Sequence, residues 1–348
     1  MLGNYSSGKN NNLSRQNLGH YPPEIINQRS EQMLGTRFGA MASSLVTATG
    51  NFKTVSYTGT GSMQNITSIP FQPDLVLIFN TAGNASGTWP AFDSTNGPTN
   101  YADWANNSAN HGTDSNSLTS FNSNGFTISS SSLVNNNGTT YQAFCWKKAA
   151  NFFDIETYTG NATARTIAHN LTSVPQMINI SATVLGMVIG SANLTASSPY
   201  GSYGYFGNTS ISVSANVNMW NNTAPNSSVF SVGISAAVNN NSAPYTAYLW
   251  GTGAGKSAFG TYTGNGSSTG PSVTGLGFMP SCVMILLQSP TSSNLRVVYG
   301  NNASGALNLD SAASSTNFIN LVSGGFNVVT TNADFNTNGA VYQYMAWA

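Results

Sequence analysis

The sequence has little charge, and this shortage excludes a class of partner. It holds 10 Lys+Arg and 10 Asp+Glu in 348 residues, so 6% of the chain is charged, where a soluble domain carries roughly 25%. The formal net charge is zero. A neutral chain has nothing to replace the counterions of a phosphate backbone, so no nucleic-acid partner is predicted. Neutrality also favours association, so we expect a protein that works within an assembly.

Cysteine and histidine are equally scarce. Two cysteines, Cys145 and Cys282, are too few for a disulfide scaffold or a cysteine-rich metal site, and we expect two buried thiols. The three histidines lie far apart, without the spacing of metal ligands. We predict no metal, no cofactor and no catalytic residue.

Long apolar runs are also missing. The longest, residues 181–192, contains Gly186 and Gly190 and is too short to span a bilayer. The first residues are polar and lack the apolar region of a signal peptide. We therefore expect no membrane insertion, and assembly in the cytoplasm of the cell that makes the protein.

Small polar residues and aromatics fill the chain instead. It contains 46 Asn, 47 Ser and 35 Gly, yet 40% of its residues are hydrophobic and 11% are aromatic. That apolar content can offset the entropy lost on folding, so disorder is not expected.

Three copies of one unit are visible. The triplet Tyr57-Thr58-Gly59 recurs at Tyr158 and Tyr262, and each copy leads to a proline followed by an aliphatic run. Each unit closes with an aromatic strand that begins with tyrosine and ends with tryptophan five residues later. These closing strands are residues 141–146, 245–250 and 342–347.

Within each unit the apolar runs are short, alternate with period two and are separated by Gly, Asn, Ser and Pro. This pattern is typical of an all-β fold. We predict three tandem β-sandwich, jelly-roll-like domains at residues 45–150, 151–254 and 255–348. Low charge suits strand faces that pack side by side, so a homotrimer of sister subunits is the expected assembly.

Residues 1–44 stand outside the repeats and are mildly basic. Two prolines and a glycine bracket one predicted short helix at residues 22–35, whose incomplete apolar stripe cannot fold alone. We interpret the segment as an extended arm that docks on a larger assembly; the alternative is an unstructured leader. The predicted docking residues are Arg15, Pro22, Pro23, Ile25, Ile26, Arg29, Met33, Leu34 and Arg37.

One loop region of the first unit combines aromatic rings with carboxylates, which can stack on sugars and bond their hydroxyls. The candidate glycan-binding residues are Trp89, Asp93, Tyr101 and Trp104. The alternative is that these aromatic side chains fill the end of a sandwich or a seam between subunits.

The stretch 120–128, together with Tyr57-Thr58-Gly59, Pro73-Asp74-Leu75-Val76, Phe92-Asp93-Ser94 and residues 141–147, resembles a repeat of structural proteins in tailed bacteriophages, often tail fibres. The first unit matches best. The resemblance implies a β-rich virion component without catalytic residues.

On this resemblance we expect a non-enzymatic virion protein whose partners are other capsid or tail proteins. A tail fibre or appendage that contacts host surface glycan is the leading interpretation. The first alternative is a capsid decoration protein or head fibre. The second is a tail-associated glycan depolymerase, which would need two carboxylates about 5–9.5 Å apart. Asp154 and Glu156 could share a strand face but also fit a simple boundary between units.

Overall fold

Antiparallel strands account for most of the regular structure in the described part of this chain. The structure is a computed structural model that describes the following residues: 50–81, 88–104, 111–182, 187–194, 200–205, 214–289, 296–299, 306–308, 311–314 and 318–348. The predicted arm and its short helix lie outside these residues. The all-β fold class is confirmed.

The first repeat folds into two sheets. Its larger sheet has six strands, which in the order of hydrogen-bonded neighbours are β1 (Phe52–Thr58), β9 (Thr140–Trp146), β3 (Leu75–Asn80), β4 (Pro90–Asp93), β5 (Asn100–Asp103) and β6 (His111–Thr113). Its smaller sheet consists of β2 (Gln64–Ile66), β8 (Gly125–Ile128) and β7 (Leu118–Asn122). One helical turn, α1 (Ser132–Asn135), precedes the closing strand β9.

The second repeat follows the same plan. Its larger sheet runs β10 (Phe153–Thr159), β17 (Pro244–Trp250), β12 (Met177–Ala182), β13 (Val188–Ser191), β14 (Ser202–Tyr205) and β15 (Ser214–Ala215). Its smaller sheet pairs β11 (Arg165–Ala168) with β16 (Val229–Val232). Its two helical turns are α2 (Val217–Trp220) and α3 (Ala236–Asn239).

The third repeat completes the series. Its larger sheet runs β18 (Ser257–Thr263), β26 (Val341–Trp347), β20 (Cys282–Ser289), β21 (Arg296–Tyr299), β22 (Ala306–Asn308) and β23 (Ser311–Ser314). Its smaller sheet consists of β19 (Ser272–Val273), β25 (Gly325–Val328) and β24 (Ile319–Val322), and its helical turn is α4 (Ala333–Asn336).

Each closing aromatic strand lies second in its large sheet, between the opening strand and the aliphatic strand. In the first repeat the register pairs Tyr141 with Tyr57 and Trp146 with Phe52. A strand in this position is covered on both faces, which explains why its sequence is almost uninterruptedly apolar.

The two faces of β9 enter different cores. Tyr141, Ala143 and Cys145 pack with Phe126 and Ile128 of the smaller sheet, in a core that belongs to the first repeat. The second and third repeats have matching cores of their own. The opposite face points away from the smaller sheet and reaches the other two repeats.

A shared core joins the three repeats. It contains the last residue of every closing strand, Trp146, Trp250 and Trp347, and all three are buried. The Trp146 ring lies 6.2 Å from Trp250 and 5.5 Å from Trp347 between centroids, edge to face in both pairs. Residues 50–348 therefore form one compact unit, and the division into three separate domains stays a prediction.

In each repeat the Tyr-Thr-Gly triplet packs against the turn that precedes the closing strand. Tyr158 stacks on Tyr245, with ring centroids 5.1 Å apart, and its hydroxyl donates to the Val238 carbonyl. Tyr245 in turn donates to the Ala236 carbonyl and accepts from the Asn240 amide. The pairs Tyr57–Tyr141 and Tyr262–Tyr342 repeat this stack at 5.3 and 5.0 Å.

A buried asparagine ends each of the turns α1, α3 and α4. Asn239 donates from Nδ2 to the carbonyls of Thr163 and Gly233, at 2.7 and 2.8 Å, and its Oδ1 accepts from the Asn161 amide at 3.0 Å. Asn135 and Asn336 make the corresponding bonds. These amides satisfy backbone groups of neighbouring loops that burial would otherwise leave unpaired.

The glycine of the triplet is required by close backbone approach. A Cβ on Gly160 would lie 2.0 Å from the Asn240 carbonyl oxygen, and the equivalent glycines Gly59 and Gly264 would meet the same clash at 2.2 Å. We therefore expect Gly160→Ala to lower the free energy of unfolding by about 2–4 kcal/mol, since the turn must shift to admit the methyl group. Urea unfolding followed by circular dichroism would measure the loss.

Thr159→Ala, at the exposed position next to Gly160, is the matched control and should change the stability by less than about 0.5 kcal/mol. Equal stabilities for the glycine variant and this control would contradict the steric argument.

Candidate functional site

Polar contacts cross the seam between the first and second repeats. Asp93, at the end of β4, is 2% exposed and accepts four hydrogen bonds. Its Oδ1 accepts from the amides of Thr95 and Asn96, at 3.0 and 2.8 Å. Its Oδ2 accepts from Asn96 Nδ2 and, across the seam, from the Tyr248 hydroxyl at 2.9 Å. Four bonds use the acceptor capacity of a carboxylate.

The seam between the second and third repeats uses the equivalent positions. Ser191 pairs with the first residue of β12, as Asp93 pairs with the first residue of β3. Gln343 of the third repeat donates from Nε2 to Ser191 Oγ at 2.8 Å. The third repeat also contacts the first, since Phe52 lies 5.7 Å from Trp347 between centroids. The repeats thus pack head to tail, each in contact with both others.

A pocket of about 680 Å³ opens at the first of these seams. One wall comes from strands β4, β5 and β6 of the first repeat, and the other from β10 and β17 of the second. The lining residues are Asp93, Asn96, Asn100, Tyr101, Ala102, His111, Gly112, Thr113, Thr157, Tyr158, Thr159, Pro244, Tyr245, Thr246 and Tyr248.

One lining residue differs from its counterparts in the other repeats. Thr246 is the second residue of its closing strand motif, where the other two repeats carry Gln142 and Gln343. Gln343 reaches across its seam to Ser191, and the shorter Thr246 accepts across the first seam from Asn96 Nδ2 at 3.0 Å.

The described lining of the pocket holds one carboxylate, that of Asp93, and no lysine or arginine. The acceptor sites of this carboxylate are filled by its four donors. Desolvation at the seam lowers the pKa of His111, against a smaller opposing effect of Asp93, so the imidazole is neutral at pH 7. Its Nε2 lies 2.5 Å from Ser181 Oγ of the second repeat. Burial raises the pKa of Tyr248, whose hydroxyl stays protonated as a donor to Asp93.

The residues that line this pocket lie within the part of the chain that one family model matches. A model for a domain of unknown function, DUF7483, matches residues 47–348. The chain belongs to this family. The match includes all three repeats and both sides of the pocket, and it begins after the predicted arm. No curated protein and no solved structure matched the chain.

The predicted glycan-binding residues separate into two pairs. Trp89 and Trp104 are each 1% exposed and belong to the shared core, where the Trp104 ring lies 5.5 Å from the Tyr248 ring of the second repeat. Neither indole face is available to a sugar in this conformation. Asp93 and Tyr101 do line the pocket, but Asp93 is fully engaged by protein donors.

The other predicted positions lie outside the described residues or in buried cores. The docking residues Arg15, Pro22, Pro23, Ile25, Ile26, Arg29, Met33, Leu34 and Arg37 lie outside the described residues. Cys145 and Cys282 are free, fully buried thiols, as expected, and burial raises the pKa of each. Within the described ranges no group of three metal-ligating side chains occurs, and no described helix is long and apolar enough to span a membrane.

Sequence reasoning missed the second wall of the pocket. The residues Thr157, Thr159 and Thr246 give no signal of their own in a chain this rich in small polar side chains. One signal was present in the sequence. The closing strands begin Tyr-Gln, Tyr-Thr and Tyr-Gln in the three repeats, which singles out Thr246 of the second wall.

Proposed function

We propose that this chain is a non-enzymatic structural protein of a tailed-bacteriophage virion. One observation carries the proposal: the residues that resemble the phage repeat are residues that build the fold of the repeat. Tyr57 stacks on the closing strand, Gly59 admits the turn, and Phe126 fills the core of the first repeat. The resemblance therefore concerns residues that stabilise the fold, which suits a structural role.

Each repeat is proposed to be a β-sandwich, with the larger sheet facing the smaller one across the core of that repeat. The outer face of each larger sheet then packs in the shared core. The outer faces of the larger sheets thus pack against other repeats of the same chain, and not against the sister subunits that were expected there. Contacts between copies of the chain would use other surfaces.

Within this proposal the chain is a tail fibre or appendage that docks through residues 1–44 and contacts the host. A capsid decoration protein or head fibre is the second candidate. The head-to-tail packing of three repeats favours it, because one such chain offers three related units to a three-fold position of a capsid. Among the described residues the depolymerase alternative finds no support at Asp154 and Glu156, because both bond to Asn170 and neither lines the pocket.

The test is the position of the protein on intact particles. We expect gold-labelled antibodies against the purified protein to mark the tail in electron micrographs, and the protein to be present in the particle proteome. Label on the head would replace the tail assignment with the decoration protein. Absence from purified particles would overturn the virion proposal. Release of reducing ends from host capsule by the purified protein would overturn the non-enzymatic assignment.

A further inference from the structure

We propose that the pocket between the first and second repeats binds a neutral saccharide. This inference rests on the proposed function, since it names the chemical class of surface component that an attachment protein would contact. It is carried by three observations on the described residues: a pocket of the size of a small-molecule site, a lining that includes hydroxyl and amide groups, and the lack in that lining of a lysine, an arginine or a carboxylate with open acceptor sites.

The pocket has the size of a ligand site. Its volume of about 680 Å³ lies within the roughly 300–1,000 Å³ usual for small-molecule sites. Thr246 in its wall stands where Gln142 and Gln343 stand in the other repeats. The pocket can hold a short oligosaccharide.

The chemistry of the walls fits a polyhydroxylated ligand. Asn100 and Thr113 on one side, and Thr157 and Thr159 on the other, are exposed and line the pocket. Hydroxyl and amide groups both donate and accept hydrogen bonds, which matches sugar hydroxyls that do the same. Ala102, Pro244 and four tyrosines also line the pocket, but a wholly apolar ligand would leave these polar groups desolvated and unpaired.

The charge of the walls excludes ionic ligands. An acidic sugar or a phosphate would need a cationic partner, and the lining holds no lysine or arginine. A cationic ligand would need a carboxylate with open acceptor sites, and Asp93 already accepts from Thr95, Asn96 and Tyr248. A neutral ligand avoids both penalties.

The decisive experiment uses the full chain and a panel of trisaccharides. Saturation-transfer NMR would compare neutral maltotriose, cellotriose, mannotriose and chitotriose with acidic trigalacturonate and sialyllactose. We expect at least one neutral probe to bind and the acidic probes not to compete with it. Thr246→Gln restores the side chain of the other repeats, so it should preserve the fold, fill the pocket and weaken binding at least tenfold.

Two further variants keep the result interpretable. Thr157→Gln narrows the pocket from an exposed position on β10, so it should weaken binding even if Thr246→Gln fails to fold. Thr166→Gln, on an exposed part of β11 that does not line the pocket, is the matched control and should bind as the parent chain does.

Three results would overturn the inference: no neutral trisaccharide binds, an acidic probe binds more tightly, or the lining variants bind as well as the control. Binding of an uncharged hexapeptide in place of every saccharide would overturn it too. Particles labelled by antibody together with a chain that binds no saccharide would leave the virion proposal standing and remove this inference alone.

Discussion

Replacing Trp146 by alanine should lower the free energy of unfolding by about 3–5 kcal/mol, the range for a large aromatic removed from a packed core. Trp146 is 0% exposed and meets rings of all three repeats, among them Phe52, Trp250 and Trp347. Its Nε1 has no hydrogen-bond partner among the described residues, so the loss arises from packing. Urea unfolding followed by both tryptophan fluorescence and circular dichroism would measure it.

The same experiment separates a shared core from three independent domains. If the repeats unfold as one body, the variant shifts a single transition that both probes report. If they unfold independently, only the part of the signal belonging to the first repeat should move. Met63→Ala, at a side chain 72% exposed, is the control and should leave the midpoint unchanged. An unmoved midpoint for Trp146→Ala would contradict the shared core.

The repeats and the all-β class could be predicted because they depend on local pattern. Tyrosine at one end and tryptophan at the other end of each closing strand are visible without any knowledge of pairing. The shared core could not be predicted in the same way. An apolar strand shows that both of its faces are covered, but not what covers them, and here the second cover is another repeat of the same chain.

The candidate site, too, could be predicted only where it depends on residues close in sequence. Trp89 and Trp104 looked like sugar-stacking residues because they lie in a polar stretch with carboxylates, yet neighbours distant in sequence, including Tyr248, bury them. The pocket is lined from two repeats, among others by Asn100 and Thr157. Residues so far apart in sequence can be grouped into one site only when the packing of the repeats is known.

The helical turns were not predicted, because four residues are too few to show helical periodicity. Their caps were nevertheless present in the sequence. Ser235 precedes α3 and accepts from the Ala237 amide, while Asn332 does the same for α4. The asparagine that ends the turns α1, α3 and α4 lies six residues before the tyrosine of the closing strand, at Asn135, Asn239 and Asn336.

Asn239→Asp should be among the most destabilising single-atom changes in this chain, and its cost should depend on pH. Asn239 is fully buried, and its Nδ2 donates to the carbonyls of Thr163 and Gly233. A carboxylate oxygen in that place faces two acceptors, so burial and repulsion raise the pKa of the new acid above its unfolded value of about 3.9. We expect a loss of about 3–5 kcal/mol at pH 7.5, typical of an uncompensated buried charge.

The sign of the pH dependence follows from the raised pKa. Well below the unfolded pKa of about 3.9 both the folded and the unfolded variant are protonated, and the acid can donate to one of the two carbonyls, so the deficit against the parent chain is smallest there. As the pH rises above the unfolded pKa, the unfolded state loses the proton that the folded state still holds, so the deficit grows until the pH passes the folded pKa and is constant above it. Urea unfolding of parent and variant at pH 4 and pH 7.5 would measure it. Asn241→Asp, exposed two residues away in the same turn, should cost less than about 0.5 kcal/mol at either pH, and a pH-independent deficit for Asn239→Asp would show that the amide does not hold its carbonyls by donation.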